Sequence, residues 1–154
     1  MITALCLLTA RLYAAEKENV SYVKANGKTY FGIEVRTGIF KTRVIASDGQ
    51  KVKVQNTEIQ SVMHDGRLFE LMPVVSRNNK VIRMAMMEYI TSKDGLRLYR
   101  YNYYNNCSRL EKGIITNTDP DDVFYVFRDG KFYLRIDESN AESALPFFGL
   151  NICS

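Results

Sequence analysis

The sequence predicts a mainly β protein of antiparallel, hairpin-rich sheets: a small barrel-like amino-terminal unit continuous with a second antiparallel sheet, and one short carboxyl-terminal helical turn. Three observations predict it. Five Asn-Gly or Asp-Gly pairs (Asn26-Gly27, Asp48-Gly49, Asp65-Gly66, Asp94-Gly95 and Asp129-Gly130) recur along the chain, and such pairs supply the positive φ angles of the type I′ turn that joins two twisted strands. The runs between them are rich in apolar or β-branched residues, and several alternate with period two. The aromatic residues are 10 Tyr and 8 Phe with no Trp, types that suit a pleated, half-buried surface.

Taken in order, Val20 to Lys24 and Thr29 to Val35 flank the first turn, and Phe40 to Ala46 and Lys51 to Val54 flank the second. In the last run Lys51 and Lys53 alternate with Val52 and Val54, so one face is wet and one dry. Arg67 to Val75 forms the next strand, which Pro73 is expected to end or to place at an edge because proline lacks an N–H for the ladder. Asn78-Asn79 marks another turn. Val81 to Thr91 contains Met84, Ala85, Met86, Met87 and Glu88, which suit a helix. Its position between two turn signals predicts a strand instead. Leu96 to Tyr104 alternates, with Leu96, Leu98 and Arg100 on one side and Arg97, Tyr99, Tyr101 and Tyr103 largely on the other. Residues 107 to 122 read as a long polar loop with one short strand at Ile114 to Thr116. Val123 to Phe127 and Phe132 to Ile136 make a hairpin, and Asn140 to Leu145 a helical turn capped by Ser139 and stopped at Pro146.

The 154 residues suffice for one ordinary core, which excludes a large multidomain enzyme. Residues 16–154 read as one β-rich domain with possible sub-units 20–75 and 76–148. The formal charge of +4 is mild, and no run of five basic residues occurs. Lys and Arg alternate with Asp and Glu along the chain, so no nucleic-acid partner is expected.

Residues 1–15 carry an apolar run, Ile2 to Ala10, then Arg-Leu-Tyr-Ala-Ala before the charged Glu16, Lys17 and Glu18. That is the apolar core and small-residue cleavage site of a signal peptide, without the basic leader. An ordinary hydrophobic helix is the competing reading. The run is far shorter than the roughly 20 residues of a membrane span, so the mature chain is expected to be exported to the periplasm, cell surface or medium, with no membrane span. Cleavage would remove Cys6 and leave Cys107 and Cys153. Either they pair, closing a loop worth roughly 3 to 4 kcal/mol in the chain-entropy model, or they remain two thiols; spacing alone leaves both open.

Few residues carry chemistry. His64 is the single histidine, so no histidine-rich metal site can form within one chain, and neither a metal nor a cofactor is expected. A catalytic site assembled from His64, Asp65 and Glu70 is one alternative, requiring a cleft that joins them. The run Asn117, Asp119, Asp121 and Asp122 places oxygen ligands at alternate positions but lacks the central Gly and distal Glu of an EF-hand loop, and reads as a solvated turn. Tyr99, Tyr101, Tyr103 and Tyr104 with Arg97 and Arg100 form the candidate binding surface, since exposed tyrosines stack on sugars or pack against proteins. The same residues could instead be cross-strand pairs at the edge of the core.

From Phe124 to Phe148 the order Phe-Tyr-Val-Phe-Arg-Asp-Gly-Lys-Phe-Tyr-Leu, a polar stretch, then Ala-Leu-Pro-Phe-Phe is similar to the closing region of uncharacterised exported β-rich proteins of Bacteroidetes-type bacteria. The Val-Ile-Arg-Met to Leu-Tyr-Arg-Tyr region is similar in style. The resemblance implies a periplasmic or outer-surface location and assigns no catalytic residue. The expected function is non-catalytic binding of an envelope protein or glycan through a β-sheet surface. Besides the small enzyme built around His64, a small-barrel nucleic-acid binder is the remaining alternative, and it would need a continuous basic face with exposed Phe or Tyr.

Overall fold

The computed structural model describes residues 20–102, 109–111, 114–116 and 122–152. The expected signal peptide, Tyr103, Tyr104, Cys107 and Cys153 therefore lie outside the described residues, as do Asn117, Asp119 and Asp121. The fold is mainly β, as the turn chemistry predicts. In chain order the strands are β1 (Ser21–Ala25), β2 (Lys28–Gly32), β3 (Glu34–Thr37), β4 (Lys41–Ile45), β5 (Lys51–Gln55), β6 (Ile59–His64), β7 (Arg67–Val75), β8 (Val81–Lys93), β9 (Leu96–Asn102), β10 (Arg109–Glu111), β11 (Ile114–Thr116), β12 (Asp122–Arg128), β13 (Lys131–Ile136) and β14 (Asn151–Ile152). A one-turn helix α1 (Ala141–Ala144) continues into a 3-10 turn, Leu145–Phe148, and a second 3-10 turn, Asn56–Glu58, links β5 to β6.

Four of the five Gly turns have positive φ at both central residues, Asn26 and Gly27 through Asp129 and Gly130, the signature of type I′ hairpins. The exception is Asp48-Gly49. There only Gly49 is left-handed, and the loop closes through bonds from the Ala46 N–H to the Gln50 carbonyl and from the Gly49 N–H to the Ala46 carbonyl. The β7–β8 connection repeats that geometry with Asn79 (φ 58°) in the left-handed position, which Asn tolerates better than other non-glycine residues.

Eight strands form one sheet in the order β13-β12-β9-β8-β7-β6-β1-β2; β3-β4-β5 and β10-β11-β14 form two three-stranded sheets. Among the described residues all pairings are antiparallel except β11 with β14. The helix-favouring Met84 to Glu88 stretch lies inside β8, where pairing with β7 along its length, and with β9 from Glu88 onward, overrides local propensity. Pro73 sits within β7 rather than at its end, in the half that extends beyond the pairing with β6 and has β8 as its neighbour.

The amino-terminal unit is barrel-like but not closed. β2 and β3 are two halves of one bent strand: β2 pairs with β1 in the large sheet, and after Ile33 the chain passes to β4 in the small one. Val23, Ala25, Val35, Val44, Val54 and Ile59 are buried between the two sheets. The β7–β8 hairpin spans the point between residues 75 and 76, and the large sheet runs through it.

In the carboxyl-terminal half of the large sheet, β9 and β12 are buried on both faces. Leu96, Leu98, Phe124, Val126 and Ile136 pack under α1 and Leu145. On the opposite face Val74, Met87, Tyr99, Tyr101, Tyr125 and Phe127 form a second core. The sheet curls so that the Tyr125 hydroxyl donates to the Val75 carbonyl at 3.1 Å and the Arg135 guanidinium to the same oxygen at 3.3 Å. Asn140, not Ser139, occupies the cap position of α1; the Ser139 hydroxyl is held by Asp137 at 2.6 Å. α1 ends before Pro146, as expected, and Pro146 lies in the first turn of the 3-10 segment, which ends at left-handed Gly149. Among the described residues no helix is long and apolar enough to cross a membrane.

Candidate functional site: an apolar cleft and a cationic sheet face

The described members of the tyrosine set are not on the surface. Tyr99 and Tyr101 are buried, and each makes edge-to-face ring contacts, Tyr99 with Tyr89 and Phe127 and Tyr101 with Tyr125. The Tyr99 hydroxyl donates to Glu70 at 2.6 Å, and the Arg97 guanidinium donates to the same oxygen at 2.6 Å while stacking over Tyr89 and Tyr99. Burial, reinforced by the Glu70 carboxylate, pushes the Tyr99 phenol up from its usual range. Arg100 is also buried. With Arg67 it grips Glu88, at 2.6 Å from Arg100 and at 2.7 and 2.8 Å from Arg67. Burial alone would raise the Glu88 carboxyl, but the bonds from Arg67 and Arg100 outweigh it and hold the group below the usual carboxylate range. These residues form cross-strand supports of a sheet covered on both sides, which corrects the expectation of an exposed tyrosine row on Tyr99 and Tyr101.

His64, Asp65 and Glu70 are not brought together either. His64 lines a cleft with Phe69, and the next residue, Glu70, points to the opposite face, where Arg97 and Tyr99 occupy its carboxylate. Asp65 is an exposed turn residue 3.3 Å from the His64 Nε2. No cluster of three metal-ligating side chains occurs among the described residues.

The cleft holds about 400 Å³ and opens between β3 and the large sheet. Val35, Ile59, Val62, Phe69 and Met86 form its walls, and Thr37, Thr42, Asn56 and His64 supply polar groups. Apolar walls with a few convergent polar groups are the usual make-up of a ligand site. A second cleft of about 450 Å³ lies between the β7–β8 turn and β13. Its cations are already engaged, since Asp137 lies 3.4 Å from Arg77 and 3.5 Å from Arg135.

Beside the first cleft stands the β3–β4 turn. Its Ile39 and Phe40 are 88% and 79% exposed, although the carbonyls beneath them are tied. The Asn56 side-chain amide donates to the carbonyls of Gly38 (2.8 Å) and Ile39 (3.1 Å), the Asn56 backbone N–H donates to Phe40 (3.0 Å), and the Thr42 hydroxyl fixes the Asn56 amide oxygen at 2.8 Å. With three successive carbonyls turned inward to one residue, the two apolar side chains are held outward.

The outer face of the same small sheet is cationic. Arg36 pairs directly with Arg43, and Arg43 directly with Lys53; Lys41 and Lys51 occupy the same face by alternation. All five are exposed. Residues 20–64 contain seven Lys and Arg against three Asp and Glu, an excess of four that accounts for the whole formal charge of +4. Glu34 pairs with Arg36, whereas Lys41, Arg43, Lys51 and Lys53 make no ion pair among the described residues. Sequence reading missed this face, because cations scattered along the chain are gathered only by cross-strand register.

Fold and site together define a mainly β protein of predominantly antiparallel sheets with a candidate binding cleft, an apolar tip held by Asn56 and a basic sheet face. Compared with known proteins, the chain matches no family model, no curated protein and no solved structure.

Proposed function

We propose that this chain is a non-catalytic exported or cell-envelope protein that binds a partner through the β-sheet surface of its amino-terminal unit, at the cleft between β3 and the large sheet. The cleft carries this reading: five apolar walls beside the Thr37 hydroxyl and the His64 ring offer burial for an apolar group and hydrogen bonds to orient it. That composition favours a protein partner over a glycan, whose hydroxyls would face apolar walls. The signal-like segment at residues 1–15 supports the exported placement.

Two measurements test it. Amino-terminal sequencing of periplasmic protein is expected to start at Ala15 or Glu16; an intact Met1 there defeats the signal-peptide reading, and protein confined to the cytosol defeats the localisation. A photo-crosslinking side chain at Thr37, exposed on the cleft rim, is expected to give one discrete adduct in intact cells. The same group at exposed Tyr133, remote on β13, is expected to give none. Equal labelling from both positions removes the cleft as the binding site.

A further inference from the structure

We infer that the β3–β4–β5 sheet is a membrane-docking surface, with Ile39 and Phe40 entering the interface of a bilayer and Lys41, Arg43, Lys51 and Lys53 resting on its anionic headgroups. This goes beyond partner binding in the cleft and stands on different side chains.

Two independent observations point to one occupant. The first is the tip: adjacent large apolar residues, 88% and 79% exposed, on a turn whose carbonyls are locked by Asn56. A rigid apolar tip enters a bilayer interface without first being ordered, and burial of its side chains is favourable by area.

The second is the charge. Arg36, Arg43 and Lys53 are direct cross-strand neighbours, and like charges so placed repel one another. With neighbouring strands about 4.8 Å apart, the three lie within about 10 Å of one another. Their repulsion is relieved when a layer of negative charge lies against the sheet. Lys41 directly follows Phe40, and Arg43 and Lys53 lie two residues further from the tip. A bilayer reached by the tip therefore meets the cations at headgroup depth. The acidic residues nearest in sequence are Glu34, on the same face and already paired with Arg36, Asp48, in the β4–β5 turn at the end of the sheet away from the tip, where it accepts from the Gln50 N–H, and Glu58, in the turn after β5. Single-stranded nucleic acid also has negative charge and planar bases for Phe40, but it offers nothing that would bury the aliphatic Ile39. Hydrocarbon takes both.

The chain has no tryptophan, so Phe40→Trp supplies a single local fluorophore at the tip. Titrating the purified exported chain with vesicles of equimolar phosphatidylcholine and phosphatidylglycerol is expected to shift its emission to the blue. Pure phosphatidylcholine is expected to leave it unchanged. In vesicle sedimentation of the chain without that label, Ile39→Ser with Phe40→Ser should weaken binding by about tenfold or more. Arg43→Gln with Lys53→Gln should weaken it by roughly fivefold per cation, with thermal stability unchanged or raised as the repulsion is removed. Added salt should weaken the binding.

Three outcomes overturn the proposal. One is the absence of binding to anionic vesicles. Another is vesicle binding that survives loss of the tip or of the cations. The third is tight binding to an oligothymidylate that quenches the fluorescence of the Phe40→Trp variant while anionic vesicles leave its emission unshifted, which reassigns the face to nucleic acid. A vesicle-negative chain that still crosslinks at Thr37 retains the cleft reading and loses this one alone.

Discussion

A Cβ added to Gly32 would lie 2.5 Å from the carbonyl oxygen of Ile45 and 2.7 Å from a methyl carbon of Val44. Gly32 sits where the chain leaves the large sheet for the small one, and the Ile33 N–H donates to that same Ile45 carbonyl at 2.9 Å. The two sheets can approach this closely because residue 32 has no side chain. Val23 and Val44, on opposite sides of the junction, are buried as a consequence.

Gly32→Ala is therefore expected to destabilise the chain by about 2 to 3 kcal/mol through overpacking against backbone that cannot yield, measured by urea denaturation. Gly27→Ala is the matched control. Nothing lies within 4 Å of a Cβ there, and its cost is confined to the left-handed backbone, about 1 to 2 kcal/mol. A Gly32→Ala variant as stable as the wild type would contradict the close approach of the sheets.

Glu88→Gln removes the charge that Arg67 and Arg100 share. It takes a charged acceptor from the buried Arg100 guanidinium and from Arg67, so the expected loss is about 1.5 to 3 kcal/mol. Because the Glu88 carboxyl is held below its ordinary range, its contribution is complete above the unfolded-state value near 4.3 and is lost as pH falls through the lower folded-state value. Urea midpoints of the wild type should fall on acidification through this range. The Glu88→Gln variant should lose less than the wild type there, and parallel acid limbs would remove Glu88 from the account.

Turn chemistry encodes most of this architecture. Asn26-Gly27 and Asp129-Gly130 encode their hairpins in two residues, and Lys51 to Val54 states its wet and dry faces by simple alternation. What alternation cannot say is whether the second face is also covered. Leu98 and Tyr99 are both buried, because α1 lies over one side and the curl of β13 toward β7 closes the other. Both covers come from segments distant in sequence, so Tyr99 and Tyr101 looked available when they were not. The cationic face was hidden for the converse reason: Arg36, Arg43 and Lys53 are seven and ten residues apart along the chain, and only the register of three strands aligns them.

Tyr99 makes an alkaline prediction. Its phenol is raised by burial and by the Glu70 carboxylate, so the folded state keeps the proton after the unfolded state has released it. The associated stability is complete below the unfolded-state value near 10. Above that it falls by about 1.4 kcal/mol per pH unit until the folded-state value is reached. Tyr99→Phe removes this group, and its stability should decline less steeply above pH 10 than that of the wild type. The same variant loses the hydrogen bond to Glu70, about 1 to 2 kcal/mol at neutral pH. An unchanged alkaline slope would mean that Tyr99 ionises no differently in the two states.

Asn56 joins the folding argument to the functional one, because one side chain and its own N–H collect the carbonyls of Gly38, Ile39 and Phe40. Asn56→Ala keeps the backbone bond to Phe40 and removes the other two, and leaves the Thr42 hydroxyl, itself buried, without its acceptor. The expected destabilisation is about 1 to 3 kcal/mol. Its larger effect is local. With two carbonyls returned to water, the turn can sample conformations that fold Ile39 and Phe40 back toward the cleft, so the tip must be ordered again on binding. The amide N–H groups of residues 38–41 should exchange faster with solvent while those of β1 and β6 remain protected. Vesicle binding should weaken although neither the tip residues nor the cations have changed. Asn56→Asp separates the two roles of the side chain: its carboxylate still accepts from Thr42 but cannot donate to Gly38 and Ile39. It should reproduce the faster exchange at the tip with a smaller loss of global stability than Asn56→Ala. If both variants leave exchange at residues 38–41 unchanged, the rigidity of the tip has another source.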